Sequence, residues 1–510
     1  GAFKAKNLEM AGYEQNPLED GSLESYRVVA ADYSKHVMNA LRGSGLSSRE
    51  IQRTRNFFAL GLLFWLYDRD LDAEREAIRR RFAKRPEVAK ANVTVFDAGY
   101  AFGETTELFQ TRYHVPEAKL ERGAYRNITG NEATALGIVA AGVLAERPVF
   151  YASYPISPAS EILHSLVGYP HYGVTAFQAE DEIAAVTSAI GASFGGVIAV
   201  TATSGPGFVL KQEGIGLAVM AELPLVVVDV QRAGPSTGMP TKGEQADLLL
   251  ALGGRNSESP VAVLAPATPA DCFAVVVEAV RLAITYMCPV VVLSEGSLAN
   301  GSEPWLLPDV KDFEPIRIQF RSDPEGFAPY VRNPETLARA WAVPGTPGLE
   351  HRIGGLEKED VSGNVSYDPA NHEHMVRVRQ AKIDRMVQRI PPAEVFGDEK
   401  GELLLVGWGS TYGALHQATR NLREEGHSVS HLHLRYLNPL QANVGEILKR
   451  YRKILVPEMN LGQLRSMLRD RFLVDAKGLS KVRGQPFTVR EVADAARAWL
   501  EGRHLEEVRN

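Results

Sequence analysis

The sequence predicts a multi-domain α/β protein built around parallel sheets. From about residue 130, short apolar runs rich in β-branched residues alternate with helical stretches, and the same alternation returns after residue 399. Near-continuous hydrophobic strands between helices are typical of parallel sheets covered on both faces. The chain has 510 residues, too many for one hydrophobic core, so about three domains are expected.

The first unit is predicted over residues 1–122. Within it, residues 56–67 place apolar side chains at helical spacing, which predicts a buried helix, and residues 71–88 are charged and helix-prone. The central α/β unit covers residues 123–300. Its predicted strands are 148–152, 197–203, 224–230, 260–264 and 289–294, with helices at 132–146, 181–195, 210–222 and 269–286.

Residues 301–398 are rich in proline, glycine and charge, which indicates an irregular extension and linker. A second α/β unit is predicted over 399–510. Its strands are 402–406, 428–432 and 453–457, with helices at 413–425 and 462–472.

Composition excludes several classes of function. The net charge is −6 with no basic stripe, so nucleic acid is not an expected partner. No apolar run reaches the roughly 18–20 residues of a membrane span, so no membrane association is expected. The two cysteines, Cys272 and Cys288, are too few for an iron–sulfur cluster and suit a reducing cytoplasm. The histidines match no standard zinc spacing, so no metal site is expected on this chain.

Two loops follow predicted strands, where ligands bind in parallel sheets. In residues 154–161 (YPISPASE), Ser157 presents a hydroxyl and Ser160 is expected to cap the next helix. In residues 231–242 (QRAGPSTGMPTK), Arg232 can grip a carboxylate through two parallel hydrogen bonds. The structural alternatives are a rigid strand–helix turn for the first loop and a surface loop with a solvated arginine for the second.

Two further features lie at predicted helix starts. Glu180 and Asp181 suit the helix dipole, whereas Glu182 precedes a small apolar helix and is expected to point into a buried interface. Residues 203–207 (TSGPG) permit close backbone approach before a helix, but they lack the lysine of a phosphate-binding loop. A tight strand–helix turn explains that segment equally well.

Taken in order, these segments resemble the alpha subunit of 2-oxoacid:ferredoxin oxidoreductases, most closely the 2-oxoglutarate type. The first unit is similar to the gamma domain fused ahead of alpha in two-subunit members. The glycine-rich turn that opens that domain is not found, so a partial gamma-like domain is expected. The segments that carry the resemblance are 56–67 (NFFALGLLFWLY), 130–137 (GNEATALG), 154–161, 178–186 (QAEDEIAAV), 201–208 (TATSGPGF), 223–248, 355–369 and 456–464 (VPEMNLGQL).

The resemblance implies oxidative decarboxylation of a 2-oxoacid with thiamine diphosphate, transfer of the acyl group to CoA and reduction of ferredoxin. Residues 123–300 would bind the pyrimidine ring, and residues 399–510 would form a transketolase-C-terminal-like domain. The beta subunit would supply the diphosphate site with Mg²⁺ and the [4Fe-4S] cluster. The cofactor would therefore bind between subunits, in an α2β2 assembly that is active only with beta.

The resemblance also assigns residue roles by position. Glu182 corresponds to the glutamate that hydrogen-bonds the aminopyrimidine ring and shuttles its proton. Arg232 corresponds to the arginine that holds the C1 carboxylate of the substrate. Ser157 stands where the family commonly has threonine, so contact with substrate or cofactor is expected, and Thr241 falls beside the substrate pocket.

Two alternatives stay open at this point. One is another thiamine-diphosphate enzyme of the transketolase or acetolactate synthase type, which shares the TSGPG turn and the activating glutamate. The other is a non-catalytic scaffold subunit that keeps the motifs for structure alone. The substrate is also open among 2-oxoacids, because all of them present the same C1 carboxylate and ketone.

Overall fold

The computed structural model describes residues 4–29, 31–106 and 111–503 and divides the chain into two compact units, Gly1–Glu121 and Arg122–Asn510. The finer boundaries expected at 300/301 and 398/399 stay predictions, as does the gamma-like nature of the first unit. Residues 504–510 of the last expected domain lie outside the described residues. Among the described helices, none is long and apolar enough to cross a membrane.

Helices make up the regular structure of the described part of the first unit. The contact between α4 and α6 depends on two glycines, because a Cβ on Gly61 would lie 1.9 Å from the carbonyl oxygen of Phe96, and one on Gly99 would lie 2.0 Å from that of Phe58. The helices are α1 (Ala5–Met10), α2 (Tyr33–Ala40), α3 (Ser48–Arg53), α4 (Arg55–Leu66), α5 (Asp72–Arg81) and α6 (Pro86–Thr105).

Two expectations for this unit need correction. The predicted segment 71–88 is two helices, because Pro86 opens α6 and the residue before a proline, Arg85, is kept out of the helical conformation. The predicted buried helix is buried on one face only, since Leu63 and Tyr67 of the same segment are exposed.

The second unit begins with alternating strands and helices. Helices α7 and α12 pack on one face of the seven-stranded sheet of this unit, and α9 and α10 pack on the other face. The elements are β1 (Tyr125–Thr129), α7 (Gly130–Ala145), β2 (Val149–Ser153), α8 (Ser160–Leu166), β3 (Val174–Gln178), α9 (Glu182–Phe194), β4 (Ile198–Thr203), α10 (Gly205–Ala221), β5 (Leu225–Gln231), α11 (Leu248–Gly253), β6 (Ala262–Leu264), α12 (Asp271–Tyr286), β7 (Pro289–Glu295), α13 (Gly296–Asn300) and β8 (Ser302–Leu306).

A second set of elements follows the irregular segment. They are α14 (Pro369–Arg385), β9 (Val395–Phe396), β10 (Gly401–Trp408), α15 (Thr411–Glu424), β11 (Val429–Leu434), β12 (Tyr436–Asn438), α16 (Val444–Lys449), β13 (Tyr451–Glu458), α17 (Gln463–Phe472), β14 (Ala476–Ser480) and α18 (Val489–Leu500).

The second unit contains one antiparallel strand pair, β1 with β8, and two large sheets. The larger has the order β12-β6-β7-β5-β4-β2-β3, and all its pairings are parallel except β12 with β6. The smaller has the order β14-β13-β10-β11-β9, with only β9 antiparallel. Strand β12 therefore carries the C-terminal part of the chain onto the edge of the larger sheet. The α/β fold class expected from the sequence is confirmed.

Some elements differ from the sequence prediction. Helix α10 begins at Gly205 rather than near residue 210, because Pro206 is accepted in a first helical turn. The edge strand β3 was not predicted, since its outward side chains are polar or half-exposed. Helix α14 was also not predicted, because its charges are spread around the helix and only Met375, Arg379, Lys382 and Ile383 are buried.

A buried ion-pair cluster fixes the irregular segment to the larger sheet. Glu222, at the C-terminal end of α10, accepts two hydrogen bonds from Arg332, at 2.7 and 2.8 Å, and one from Lys382 of α14. Burial alone would raise the pKa of Glu222, but the adjacent Lys382 and Arg332 cations outweigh it and lower that pKa to about 2. The ionised carboxylate is therefore the folded form.

We predict that Glu222→Gln lowers the free energy of unfolding by about 3–5 kcal/mol, because two buried cations lose their counter-charge. In the wild type this stabilisation is complete above the usual carboxyl pKa of 4.5 and is lost as the pH falls toward about 2. Urea unfolding between pH 7 and pH 2.5 measures both effects, and the variant should lose less stability across the acid range.

The matched control is Glu335→Gln. Glu335 lies in the same segment and pairs with Arg389 at 3.3 Å, but its side chain is 77% exposed. Little change is expected there, since solvent screens exposed pairs. Equal destabilisation by the two substitutions would contradict the role of the Glu222 cluster.

Candidate functional site

Three loops meet along the carboxyl edge of the larger sheet, after the adjacent strands β2, β4 and β5. The loop after β2 carries Ser157, which is exposed. Its carbonyl oxygen accepts a 2.6 Å hydrogen bond from Arg232 Nη1, and Asn131 Nδ2 donates to the carbonyl of Pro158 at 2.7 Å. Two side chains from elsewhere in the fold thus hold this loop by its backbone.

Ser160, in the same loop, was expected to cap the following helix. That expectation is wrong, because Ser160 is the first residue of α8 and Ala159 occupies the cap position. The Ser160 hydroxyl instead donates to the carbonyl of Ile156 at 3.2 Å. This bond stabilises the first turn without capping the free backbone amides.

Arg232 follows β5 directly and is buried, with 8% of its surface exposed. Its Nη1 holds the Ser157 loop, whereas its Nε has no hydrogen-bond partner among the described residues. An unpaired guanidinium donor in a buried position is costly unless an acceptor satisfies it. The arginine is therefore both a structural brace and an available cation.

Arg232 lines a cavity of about 610 Å³. The wall comes from the start of α10, the loop after β5, and the turn between β13 and α17. Ser157, Glu182 and Thr241 are not among its lining residues. The polar and glycine positions on the wall include Gly205, Arg232, Ser236, Glu244, Asp247 and Asn460.

Hydrogen bonds from side-chain amides and backbone groups join two loops at this cavity. Gln245 Nε2 donates to the carbonyl of Trp408 at 2.7 Å, and Asn460 Nδ2 donates to the carbonyl of Gln245 at 2.7 Å. The amide of Met459 also donates to Gln245 Oε1 at 3.2 Å. These bonds, which we call the Gln245 seam, connect the loop after β5 to the ends of β10 and β13.

The TSGPG turn brings two carboxyl groups against its glycines. A Cβ on Gly205 would lie 2.9 Å from Asp247 Oδ2, and one on Gly207 would lie 2.6 Å from Glu182 Oε1 and 2.1 Å from Thr203 Oγ1. A Cβ at either position would therefore displace a carboxyl group, and the closer contacts are those at Gly207. Its backbone passes between a carboxyl on the cavity wall and the carboxyl of Glu182.

Glu182 is the first residue of α9 and is buried, with 7% of its surface exposed. Asp181 caps that helix by accepting a 2.7 Å bond from the amide of Ala184. Lys211 of α10 donates to the Glu182 carbonyl at 3.1 Å and to Thr201 Oγ1 at 3.0 Å. Burial lowers the pKa of Lys211 to about 8, against the opposing charge of Glu182.

A pair of aspartates, Asp229 and Asp247, was not identified from the sequence. Asp229 is fully buried on β5, and neither of its oxygens has another partner among the described residues. Burial, followed by the Asp247 charge, raises the pKa of Asp229 well above its usual range, and burial raises that of Asp247 to about 6. Both shifts disfavour the charged form of the carboxyls. The sequence did contain a signal for Asp229, because a charged residue is unusual inside a largely apolar strand.

The structure thus brings together some predicted residues and not others. Ser157 and Arg232 are in contact, and Glu182 lies behind the turn whose Gly205 lines the cavity. Thr241 is exposed and lies off the cavity wall. Among the described residues, no group of three or more potential ligands could hold a metal ion.

Comparison with known proteins gives a consistent result. The family profile described as pyruvate flavodoxin/ferredoxin oxidoreductase, thiamine diphosphate-binding, matches residues 141–367. The 2-oxoglutarate oxidoreductase subunit KorA of Mycobacterium tuberculosis is 54% identical over 99% of this chain and 77% of its own length. The 2-oxoglutarate synthase subunit KorA of Archaeoglobus fulgidus is 36% identical over 66% of this chain and 88% of its own length.

A solved structure agrees with these relatives. The 2-oxoglutarate:ferredoxin oxidoreductase from Magnetococcus marinus superposes with a TM-score of 0.84 and 33% identity, over 91% of this chain and 80% of that chain. Fold and profile together define the class, an α/β subunit of a thiamine diphosphate-dependent oxidoreductase. The chain belongs to the 2-oxoacid:ferredoxin oxidoreductase family, as its alpha-type subunit. The resemblance seen in the sequence is confirmed.

We predict that Gly207→Ala destabilises the protein by about 1–3 kcal/mol, because the new methyl group overlaps Glu182 and Thr203. Urea denaturation measures the change. Gly216→Ala on the same helix is the control, since a Cβ at that position would have no atom within 4 Å and alanine favours the helix. Comparable destabilisation at both sites would show that the tight contact at Gly207 has no special cost.

Proposed function

We propose that this chain is the large subunit of an enzyme that converts 2-oxoglutarate and CoA to succinyl-CoA and CO2 and reduces ferredoxin. The observation that carries the proposal is the buried Glu182 carboxyl behind Gly207, at the turn that also borders the Arg232 cavity. The relatives support 2-oxoglutarate as the substrate. The Magnetococcus marinus structure has 2-oxoglutarate, coenzyme A and succinyl-CoA bound.

The residues of the turn fit thiamine diphosphate. Gly207 lets the Glu182 carboxyl lie directly against the backbone of the turn, where a Cβ would overlap it. The bound cofactor supplies a nucleophilic carbon that attacks the ketone and accepts the electrons left by decarboxylation. In the proposal, the Glu182 carboxyl exchanges a proton with the nitrogen of the aminopyrimidine ring.

Arg232 is proposed to bind the C1 carboxylate of the 2-oxoacid. Its Nε is unpaired among the described residues, while its Nη1 keeps the Ser157 loop beside the cavity. One charge-assisted contact can position the carboxylate for attack without preventing its departure as neutral CO2. Ser157 is proposed to contact substrate or cofactor through its hydroxyl, and Thr241 to border the pocket for the distal group.

A partner subunit is proposed to complete the site. Four apolar side chains on the cavity wall, Val209, Leu249, Leu461 and Val482, are exposed, and Leu461 has 80% of its surface in solvent. Exposed apolar patches with polar surroundings mark protein interfaces. We infer that the beta subunit covers this rim, in an assembly of two alpha and two beta chains.

The remaining cofactors are assigned to that partner. Two cysteines cannot hold a [4Fe-4S] cluster, so the cluster is proposed on beta, together with the Mg²⁺ that binds the diphosphate. Both cysteines of this chain are free and buried. Unpaired thiols suit a reducing compartment, and we therefore propose a cytoplasmic enzyme.

The proposal is tested with the purified complex and a panel of 2-oxoacids, using CoA and either ferredoxin or a dye as acceptor. We expect the highest kcat/KM with 2-oxoglutarate and no acceptor reduction without CoA and thiamine diphosphate. Turnover of sugar phosphates or formation of acetolactate without an acceptor would favour the transketolase or acetolactate synthase alternative.

We predict that Glu182→Gln removes most activity while the fold persists, because glutamine can hydrogen-bond the ring but cannot carry its proton. Exchange of the cofactor C2 proton, followed by NMR, should slow in the variant complex. Glu180→Gln is the matched control, since it makes the same change at an exposed position two residues earlier. Full turnover and unchanged exchange in Glu182→Gln would favour a scaffold role.

We predict that Arg232→Lys raises KM for every 2-oxoacid, with a loss of about 1.5–3 kcal/mol, because lysine keeps the charge but loses the planar fork. Steady-state kinetics on the same panel measure the loss. Thr241→Ala is the contrasting variant, and it should change only the ranking among substrates. If Arg232→Lys changes the ranking and Thr241→Ala changes general affinity, the two assignments are reversed.

A further inference from the structure

A second cavity of the Arg122–Asn510 unit shares no lining residue with the Arg232 site. It has a volume of about 1170 Å³ and lies between α12 and the irregular segment that follows β8. Binding sites for organic ligands usually measure ~300–1,000 Å³, so a molecule of nucleotide size can enter. A five-carbon oxoacid would leave most of this volume empty.

Six arginines line this cavity, which we call the arginine cavity. The carboxylates among the described residues that line it are Glu314 and Asp323. The arginines that line it are Arg281, Arg317, Arg321, Arg332, Arg339 and Arg389.

The guanidinium groups differ in their partners. Arg281, Arg332 and Arg389 each pair with a carboxylate, that of Glu278, Glu222 and Glu335 respectively. Arg321 instead donates to the carbonyls of Asp323 and Glu325. A carbonyl orients a guanidinium but does not cancel its charge.

Two of the arginines have guanidinium N–H groups that no described residue accepts, so these groups can donate to a ligand. Arg317 is exposed and makes no hydrogen bond or ion pair with a described residue. Arg339 is 3% exposed; its Nε and Nη1 bond backbone carbonyls, while its buried Nη2 has no partner in the described part of the chain. Burial lowers the pKa of Arg339, which an anion at Nη2 would oppose.

The same wall offers an apolar surface for the rest of a ligand. Ile284, Phe320 and Trp341 line it, and the Trp341 ring is fixed by a 3.2 Å bond from its Nε1 to the carbonyl of Ser193. Arg147 lies over the Phe320 ring at 4.7 Å, so that ring is also held in place. A preformed apolar wall beside several cations suits an organic phosphate better than a small inorganic ion.

We propose that the arginine cavity binds a phosphorylated organic anion of nucleoside diphosphate size, at a site separate from the one where the 2-oxoacid is proposed to react. The phosphates contact the free donors of Arg317 and Arg339, and the organic part lies against the Phe320 side of the wall. The inference does not depend on the proposed reaction, because its test measures binding rather than turnover.

The test is isothermal titration of the purified complex with ADP and with inorganic pyrophosphate. Thiamine diphosphate, Mg²⁺ and CoA are present at saturation, so that their own sites are filled. We expect both probes to bind, with ADP tighter than pyrophosphate. Arg317→Ala should weaken ADP binding by about tenfold or more, as expected for loss of a charged hydrogen bond.

The control is Arg490→Ala, which removes the same charge from a side chain that is 91% exposed on α18. It should leave ADP binding unchanged. The proposal is overturned by the absence of any binding, by equal weakening in the two variants, or by succinate binding as tightly as pyrophosphate. Protection of residues 314–323 from hydrogen exchange by the partner subunit, without added ligand, would also overturn it.

Discussion

The turn from Thr203 to Gly207 is the constraint on which the site depends. Asp247 and Glu182 occupy the space that side chains at Gly205 and Gly207 would need. A side chain at either glycine would therefore displace one of the two carboxyls that the turn separates. Because the turn is also the start of α10, the position of that helix fixes the distance between the cavity wall and the buried glutamate.

Charge is balanced around the cavity in a way that favours an anionic substrate. Arg232 supplies a cation with one unpaired donor, while the raised pKa values of Asp229 and Asp247 disfavour the charged forms of both carboxyls. Burial also raises the pKa of Glu244 on the same wall. Desolvation thus reduces the repulsion that neighbouring acids would otherwise exert on an entering carboxylate.

The local sequence pattern predicted the main strands and helices well, but it predicted the contacts between distant loops poorly. Strands β4, β5 and β7 were found because buried parallel strands are almost uninterrupted apolar runs. Helix α14 was missed because much of what it buries is charged, and the partner of its Lys382 lies far away in sequence at Glu222. Periodicity cannot detect a helix whose buried face is an ion-pair cluster.

The candidate site shows the same limit. Burial of Glu182 was predictable, since a small apolar helix follows it directly. The contact of Arg232 with the Ser157 carbonyl required the strand order, because the two residues are 75 positions apart and follow different strands of one sheet. The pairing of Asp229 with Asp247 required the path of the loop after β5, which returns Asp247 to that strand. Thr241 belongs to the same motif as Arg232, yet it is exposed, so shared membership of a motif did not establish a shared surface.

The Gln245 seam has a consequence for how such chains can be recombined. One glutamine bonds the ends of two strands in the smaller sheet while its backbone belongs to the loop after β5. A chimera that takes the two sheets from different relatives would leave these buried amides unmatched unless both loops came from one parent. The two sheets therefore behave as one unit in such an exchange, and the favourable junctions lie outside them.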